Sequence, residues 1–169
     1  MPNNQQARAE RREAPGQRLT YKVQKYRVEL VRDGVQRFAF DSAPCAQTAA
    51  AIFHKLIGNL PHEETWALLL NAKLEIMGAT RISQGGLFGA AMKPFDVFRP
   101  VVSSGAAAFV LGHNHPSGDP QPSAADLEMT THLIEGAELL GVTLADHLIV
   151  VRSGAHVSLR DHLAWGSTS

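Results

Sequence analysis

Apolar positions change their rhythm several times along this chain, and each rhythm predicts an element. Over residues 21–40 the period is two: Tyr21 and Val23, then Tyr26, Val28 and Leu30 alternate with polar residues, Asp33-Gly34 turns the chain, and Val35, Phe38 and Phe40 follow. That pattern predicts a β-hairpin. Residues 44–58 carry Ala49, Ile52, Phe53, Leu56 and Ile57 at helical spacing and end at Gly58, which predicts a helix with a left-handed stop. His54 falls one position off this apolar set and reads as a boundary residue.

The middle of the chain alternates between short apolar runs and helical stripes. Residues 66–70 form a continuous apolar run, a buried strand; Asn71-Ala72-Lys73 turns it, and residues 74–82 return as a hairpin partner before Gly85-Gly86. Pro94 suits the first turn of a helix whose apolar side is Phe95, Val97, Phe98, Val101 and Val102, stopped by Gly105. Residues 106–111 predict a second buried strand. Ser123-Ala124-Ala125-Asp126 reads as a helix start, with Leu127, Leu133, Ile134, Ala137 and Leu140 as the inner face before Gly141. Residues 142–151 predict a strand interrupted by Asp146-His147, and residues 157–159 a last short strand. Strands alternating with helices predict an α/β fold, an α+β sandwich whose central sheet is flanked by helices.

Composition narrows this picture. At 169 residues, 44% hydrophobic, the chain suits one core of ordinary size. Residues 1–18 lack apolar periodicity and read as a disordered basic tail, residues 19–60 as a hairpin and helix packed on the core, and residues 61–169 as the main domain. Formal charge is zero overall, but residues 1–37 hold nine Lys/Arg against four Asp/Glu, so a net +5 arm precedes a body of net −5. The arm offers a weak contact for DNA; the body does not advertise one. A single cysteine, Cys45, excludes an intrachain disulfide and suits a reducing compartment. With no membrane-length apolar run and no apolar signal core, the expected location is cytoplasmic. Oligomeric state has no signature in the chain.

The stretch that gathers chemistry is His113-Asn114-His115-Pro116-Ser117-Gly118-Asp119-Pro120-Gln121-Pro122-Ser123-Ala124-Ala125-Asp126. In extended backbone His113 and His115 share a face, roughly 6 to 7 Å apart. Two imidazoles and a carboxylate leave one position of a zinc ion open, and zinc lowers the pKa of a bound water from ~15.7 to about 7. Amide hydrolysis by such water needs a carboxylate to carry the proton and a donor for the oxyanion. Ser123, one turn from Asp126, suits the donor role; it equally suits a capping box, and the two are compatible. For the proton carrier the residues alone offer Glu63, Glu64, Asp96 and Asp119 unranked. Pro116-Ser117-Gly118-Asp119-Pro120 also reads as a plain tight turn. Asp146-His147 reads as a satisfied buried polar pair rather than as support for a metal.

Taken as a motif, His113-x-His115 with Ser123-x-x-Asp126 resembles the JAMM signature of the JAB/MPN metalloprotease superfamily, in the form carried by the RadC family. The likeness extends over residues 60–165: Leu68-Leu69-Leu70-Asn71-Ala72-Lys73, Ser83-x-Gly85-x-Leu87, Pro94-x-x-Val97-Phe98, Ala106-Ala107-Ala108, and Leu140-Gly141-Val142 through Asp146-His147-Leu148-Ile149-Val150. It implies a JAB/MPN fold similar to that of cytidine deaminases, zinc on His113, His115 and Asp126, and Ser123 beside the oxyanion. It implies a hydrolase of peptide or isopeptide bonds with a protein or peptide substrate. The family's acid/base glutamate lies eight residues before the turn, which is Glu63 when counted from Asn71; Glu64, one residue off, faces the other way and stands second. Many relatives read Pro-Arg-Glu-Val-Phe where this chain has Pro94-Phe95-Asp96-Val97-Phe98. Longer relatives begin with a DNA-binding helix-hairpin-helix module, and no Gly-x-Gly hairpin of that kind precedes Glu63. A weakly catalytic or non-catalytic module in DNA repair or DNA metabolism is the alternative expectation.

Overall fold

The computed structural model describes residues 31, 33–35, 45–85, 92–163 and 165. The predicted tail of residues 1–18 lies outside them, as does nearly all of the predicted hairpin of residues 21–40 and the loop that follows Gly85. Among the described residues the order is α1 (Ala46–Ile57), β1 (Glu64–Leu70), β2 (Ile76–Gln84), α2 (Pro94–Ser104), β3 (Ala108–Asn114), α3 (Ala124–Leu140), β4 (Thr143–Val150) and β5 (His156–Ser158), closed by a 3₁₀ turn at Leu159–Asp161. The strands form one mixed sheet in the order β2-β1-β3-β4-β5. β1 is antiparallel to β2 and to β3; β3 and β4 run parallel, with α3 as the crossover a parallel pair requires.

Strand alternation divides the core into two layers. Leu68, Leu70, Ala108, Val110, Leu148 and Val150 meet Ile52, Phe53 and Ile57 of α1 on one face. Ala67, Leu69, Phe109, Leu111 and Leu144 meet Val97, Phe98 and Val101 of α2 and Leu133 and Ala137 of α3 on the other. A sheet buried on both sides explains why β1 and β3 read as continuous apolar runs rather than alternating ones. The mixed sheet flanked by three helices is the α/β sandwich expected from the sequence, and it is consistent with a JAB/MPN-type fold.

Several local readings change. Gly58 ends α1 in right-handed geometry (φ −57°), its N–H still bonded to the His54 carbonyl, so the helix runs out without a left-handed stop. Gly105 and Gly141 do take the left-handed stop, at φ 69° and 67°. Leu140, predicted to face inward, is exposed, and buried Thr130 joins Leu133 and Ala137 on the inner face. β3 does not end at Leu111 but continues to Asn114, and β1 starts two residues early, at Glu64. β4 is not interrupted at Asp146-His147: it is continuous, with a bulge where Phe109 opposes Leu144 and Val110 opposes Asp146. The extra residue, Ala145, lets Leu144 and His147 both point toward α3.

Candidate metal centre

The site lies where β3 hands the chain to α3, at the end of a parallel strand. His113 occupies the last turn of the pleat in β3 and is 2% exposed, while His115 lies just beyond the strand end. A tight turn follows: the Gly118 N–H bonds to the His115 carbonyl, and Gly118 adopts φ 85°, a conformation open to a residue without a side chain. The turn brings the Asp119 carbonyl to 2.8 Å from His115 Nδ1. A carbonyl only accepts, so Nδ1 carries the proton and Nε2 keeps its lone pair for the site. The predicted tight turn is therefore present, and it orients a histidine.

Ser123 caps α3. Its Oγ accepts from the Asp126 N–H at 3.2 Å, while its own O–H and N–H both donate to Asp126 Oδ2, at 2.6 and 2.8 Å. This capping box holds the Asp126 carboxylate toward the histidines. Burial would raise the Asp126 pKa, but the His115 and His113 imidazoles beside it and the hydrogen bonds from Ser123 hold it well below the ordinary range. Burial pushes His113 down to about 4, so it stays neutral. His115 moves up, chiefly through the Asp126 carboxylate beside it.

Three donor atoms converge. His113 Nε2 stands 3.0 Å from His115 Nε2 and 3.4 Å from Asp126 Oδ1, and His115 Nε2 stands 3.6 Å from Asp126 Oδ2. Metal–ligand bonds of ~2.0–2.1 Å in a tetrahedron require donor separations of about 3.3 Å. The observed edges bracket that value. Two imidazole lone pairs and a carboxylate aimed at one point repel each other without a cation, so the donor set fits a metal. Among the described residues it is the group of three or more His, Cys, Asp or Glu side chains that can do so.

The four acids are separated by the fold. Glu64 is buried on the far face; its carboxylate takes the Trp66 indole N–H at 2.8 Å and lies 3.1 Å from His62 and 3.5 Å from Arg81. Burial alone would raise its pKa, but the Trp66 and His62 hydrogen bonds and the Arg81 charge bring it below the usual value. Asp96 caps α2 by accepting from the Lys93 N–H, and Asp119 accepts from the Gln121 N–H. Glu63 directly precedes β1, and the pairing of Thr65 with His113 puts residues of its parity on the histidine face. Its carboxyl is pushed up by burial, then lowered by His115 and raised by Asp126.

Sequence reasoning passed over Asn114 and Thr130, while Asp146 and His147 are buried and hydrogen-bonded as read. Asn114, 1% exposed, points away from the histidines, donates to the His62 carbonyl at 2.9 Å and accepts from the Glu64 N–H at 2.8 Å, so it fastens the backbone on both sides of Glu63. Asp146 and His147 are not a pair of side chains. Asp146 accepts from Ser158 Oγ at 2.8 and 3.0 Å and from the His147 backbone N–H, whereas the His147 ring lies 2.9 Å from His113 Nδ1. A polar β-branched residue four places after Asp126 on the apolar stripe of a helix was the available signal for Thr130.

Fold and donor set together define a JAB/MPN-type domain with a candidate metal site. Comparison with known families narrows this: residues 43–164 match the RadC-like JAB domain, and the chain belongs to that family. The match takes in α1 as well as the sheet. Relatives include UPF0758 proteins of Syntrophotalea carbinolica, 44% identical over 115 residues (68% of this chain, 50% of the relative), Desulforudis audaxviator, 36% identical over 104 residues (62% and 45%), and Geobacter sulfurreducens, 41% identical over 98 residues (58% and 43%). The chain thus spans about half the length of the curated relatives it matches. No helix among the described residues is long and apolar enough to cross a membrane.

Proposed function

We propose that this chain is a zinc-dependent hydrolase of the JAMM type that cleaves peptide or isopeptide bonds. The observation that carries the reading is the convergence of His113, His115 and Asp126 on one point with Glu63 on the same face. Bound there, zinc would supply Lewis acidity toward a carbonyl and make hydroxide available near neutral pH. The chain's own residues do the rest. His113 offers a neutral Nε2 and Asp126 stays ionised at neutral pH, while zinc binding would displace any proton that the raised pKa of His115 keeps on its Nε2. Glu63 takes a proton from the attacking water at its carboxylate and returns it to the leaving amine; partial burial raises its pKa toward the range where both transfers are feasible. Ser123 currently gives its O–H to Asp126, and in the oxyanion role that O–H swings to the substrate oxygen.

The reading as a non-catalytic module of DNA metabolism has the net +5 charge of residues 1–37 behind it, and nearly all of those lie outside the described residues. The hydrolase reading has the better support. Its test is the zinc-loaded protein incubated with a peptide library and read by mass spectrometry. Glu63→Gln is expected to keep zinc and lose cleavage by about 10²–10⁴-fold; cleavage at the wild-type rate in that variant would remove Glu63 from the mechanism.

A further inference from the structure

Thr130 and His147 are among the few buried polar residues of the described chain, at 0% and 1% exposure. They stand on the α3 side of the sheet, a layer otherwise built from residues such as Phe109, Leu111 and Leu133. Neither belongs to the ligand set. Counting their protons assigns them a role.

The Asp126 carbonyl can only accept, so Thr130 Oγ1, 2.5 Å away, gives its single proton there. The same oxygen is then left to accept from His147 Nδ1 at 2.6 Å, and Nδ1 must carry a hydrogen. A charged imidazolium at 1% exposure, bonded only to a hydroxyl and a second imidazole, would be buried without compensation, so His147 is neutral and its Nε2 holds a lone pair. His113 Nδ1, 2.9 Å from that Nε2, donates to it. The remaining nitrogen of His113, Nε2, then points its lone pair at His115 and Asp126.

We infer that Thr130 and His147 form a buried relay that fixes His113 as the Nδ1–H tautomer and aims its free Nε2 at the metal position. The relay also ties two elements together. One hydroxyl bonds both the backbone of ligand Asp126 in α3 and the ring that orients ligand His113 in β3, so the spacing of these ligands is set from behind. The bulge at Ala145 is part of the device, since without the extra residue His147 could not share a face with Leu144 and His113. Both are positioning residues: neither touches the place where substrate would react.

As a statement about metal binding the inference rests on the proposed zinc site, but the tautomer can be read without metal. Imidazole ¹⁵N resonances of the zinc-free protein are expected to show His113 and His147 protonated on Nδ1. Zinc affinity, measured by competition with a chromophoric chelator, is expected to fall about 10–100-fold in Thr130→Val and His147→Leu. It should recover in Thr130→Ser, which restores the hydroxyl, and in His147→Gln, whose amide oxygen accepts from His113 Nδ1. Thr130→Val is close to isosteric, so it decides the matter even where His147→Leu does not fold. A wild-type His113 protonated on Nε2, or a Thr130→Val protein with unchanged zinc affinity and ¹⁵N pattern, overturns the relay. A protein that binds zinc with these mutational effects and cleaves no peptide supports the relay and overturns the peptidase reading, so the two fail separately.

Discussion

At the scale of residues, the chemistry of each side chain is set by what its neighbours can donate or accept. Asn114 shows this most simply. Its amide orientation is fixed, because the His62 carbonyl must accept and the Glu64 N–H must donate, and together these bonds hold the tripeptide that carries Glu63. Asn114→Ala leaves two buried backbone groups unpaired and is expected to destabilise the fold by about 1–3 kcal/mol in urea titration. In the same variant the turnover of a cleaved peptide should fall while zinc affinity stays near wild type, since the donors lie on the opposite face of β3; an equal loss of both would contradict the assignment. The sequence made His113, His115 and Asp126 legible because strand alternation and the Ser-x-x-Asp helix start are local patterns. Asn114 was not legible, because its partners lie about fifty residues away and depend on the register between β1 and β3.

Elements place these residues by close packing as much as by pattern. Gly112, between Leu111 and His113, lies under the ring of Phe53 from α1, and a Cβ built on it would meet Phe53 Cδ2 at 2.5 Å. Alpha-helix and strand can approach this closely only over a residue without a side chain. Gly112→Ala is expected to lower stability by about 1–3 kcal/mol, seen as a lower melting temperature, and Phe53→Leu in the same chain should recover part of it. Unchanged melting would show that α1 retreats freely. The elements themselves were mostly foreseen, and the errors share a cause. Leu140 reads as inner-face but is exposed at the last turn of α3; Gly58 resembles a stop, yet local hydrogen bonding keeps it right-handed. The strand ends at Glu64 and Asn114 carry polar side chains that hydropathy assigns to loops, whereas the ladder continues because those side chains find buried partners.

For the whole molecule, the proposed site draws on three separate elements at one end of the sheet: the segment before β1 with Glu63, the end of β3 with His113 and His115, and the first turn of α3 with Asp126. Central sheet and ligand motif could be anticipated from the chain. The choice of Glu63 over Glu64 came from resemblance, and the fold adds a physical reason, since Glu64 is held by Trp66, His62 and Arg81 on the far face. Support from behind the ligands, through His147 and the bulge at Ala145, is a property of the assembled sheet and had no counterpart in the one-dimensional pattern. The most direct measurement is metal content per chain in protein purified with stoichiometric zinc, by plasma mass spectrometry, for the wild type and for the double variant His113→Ala, His115→Ala. One tightly held zinc in the wild type and none in a folded double variant is the predicted result; a wild type without zinc, or a double variant that retains it, would contradict the metal centre.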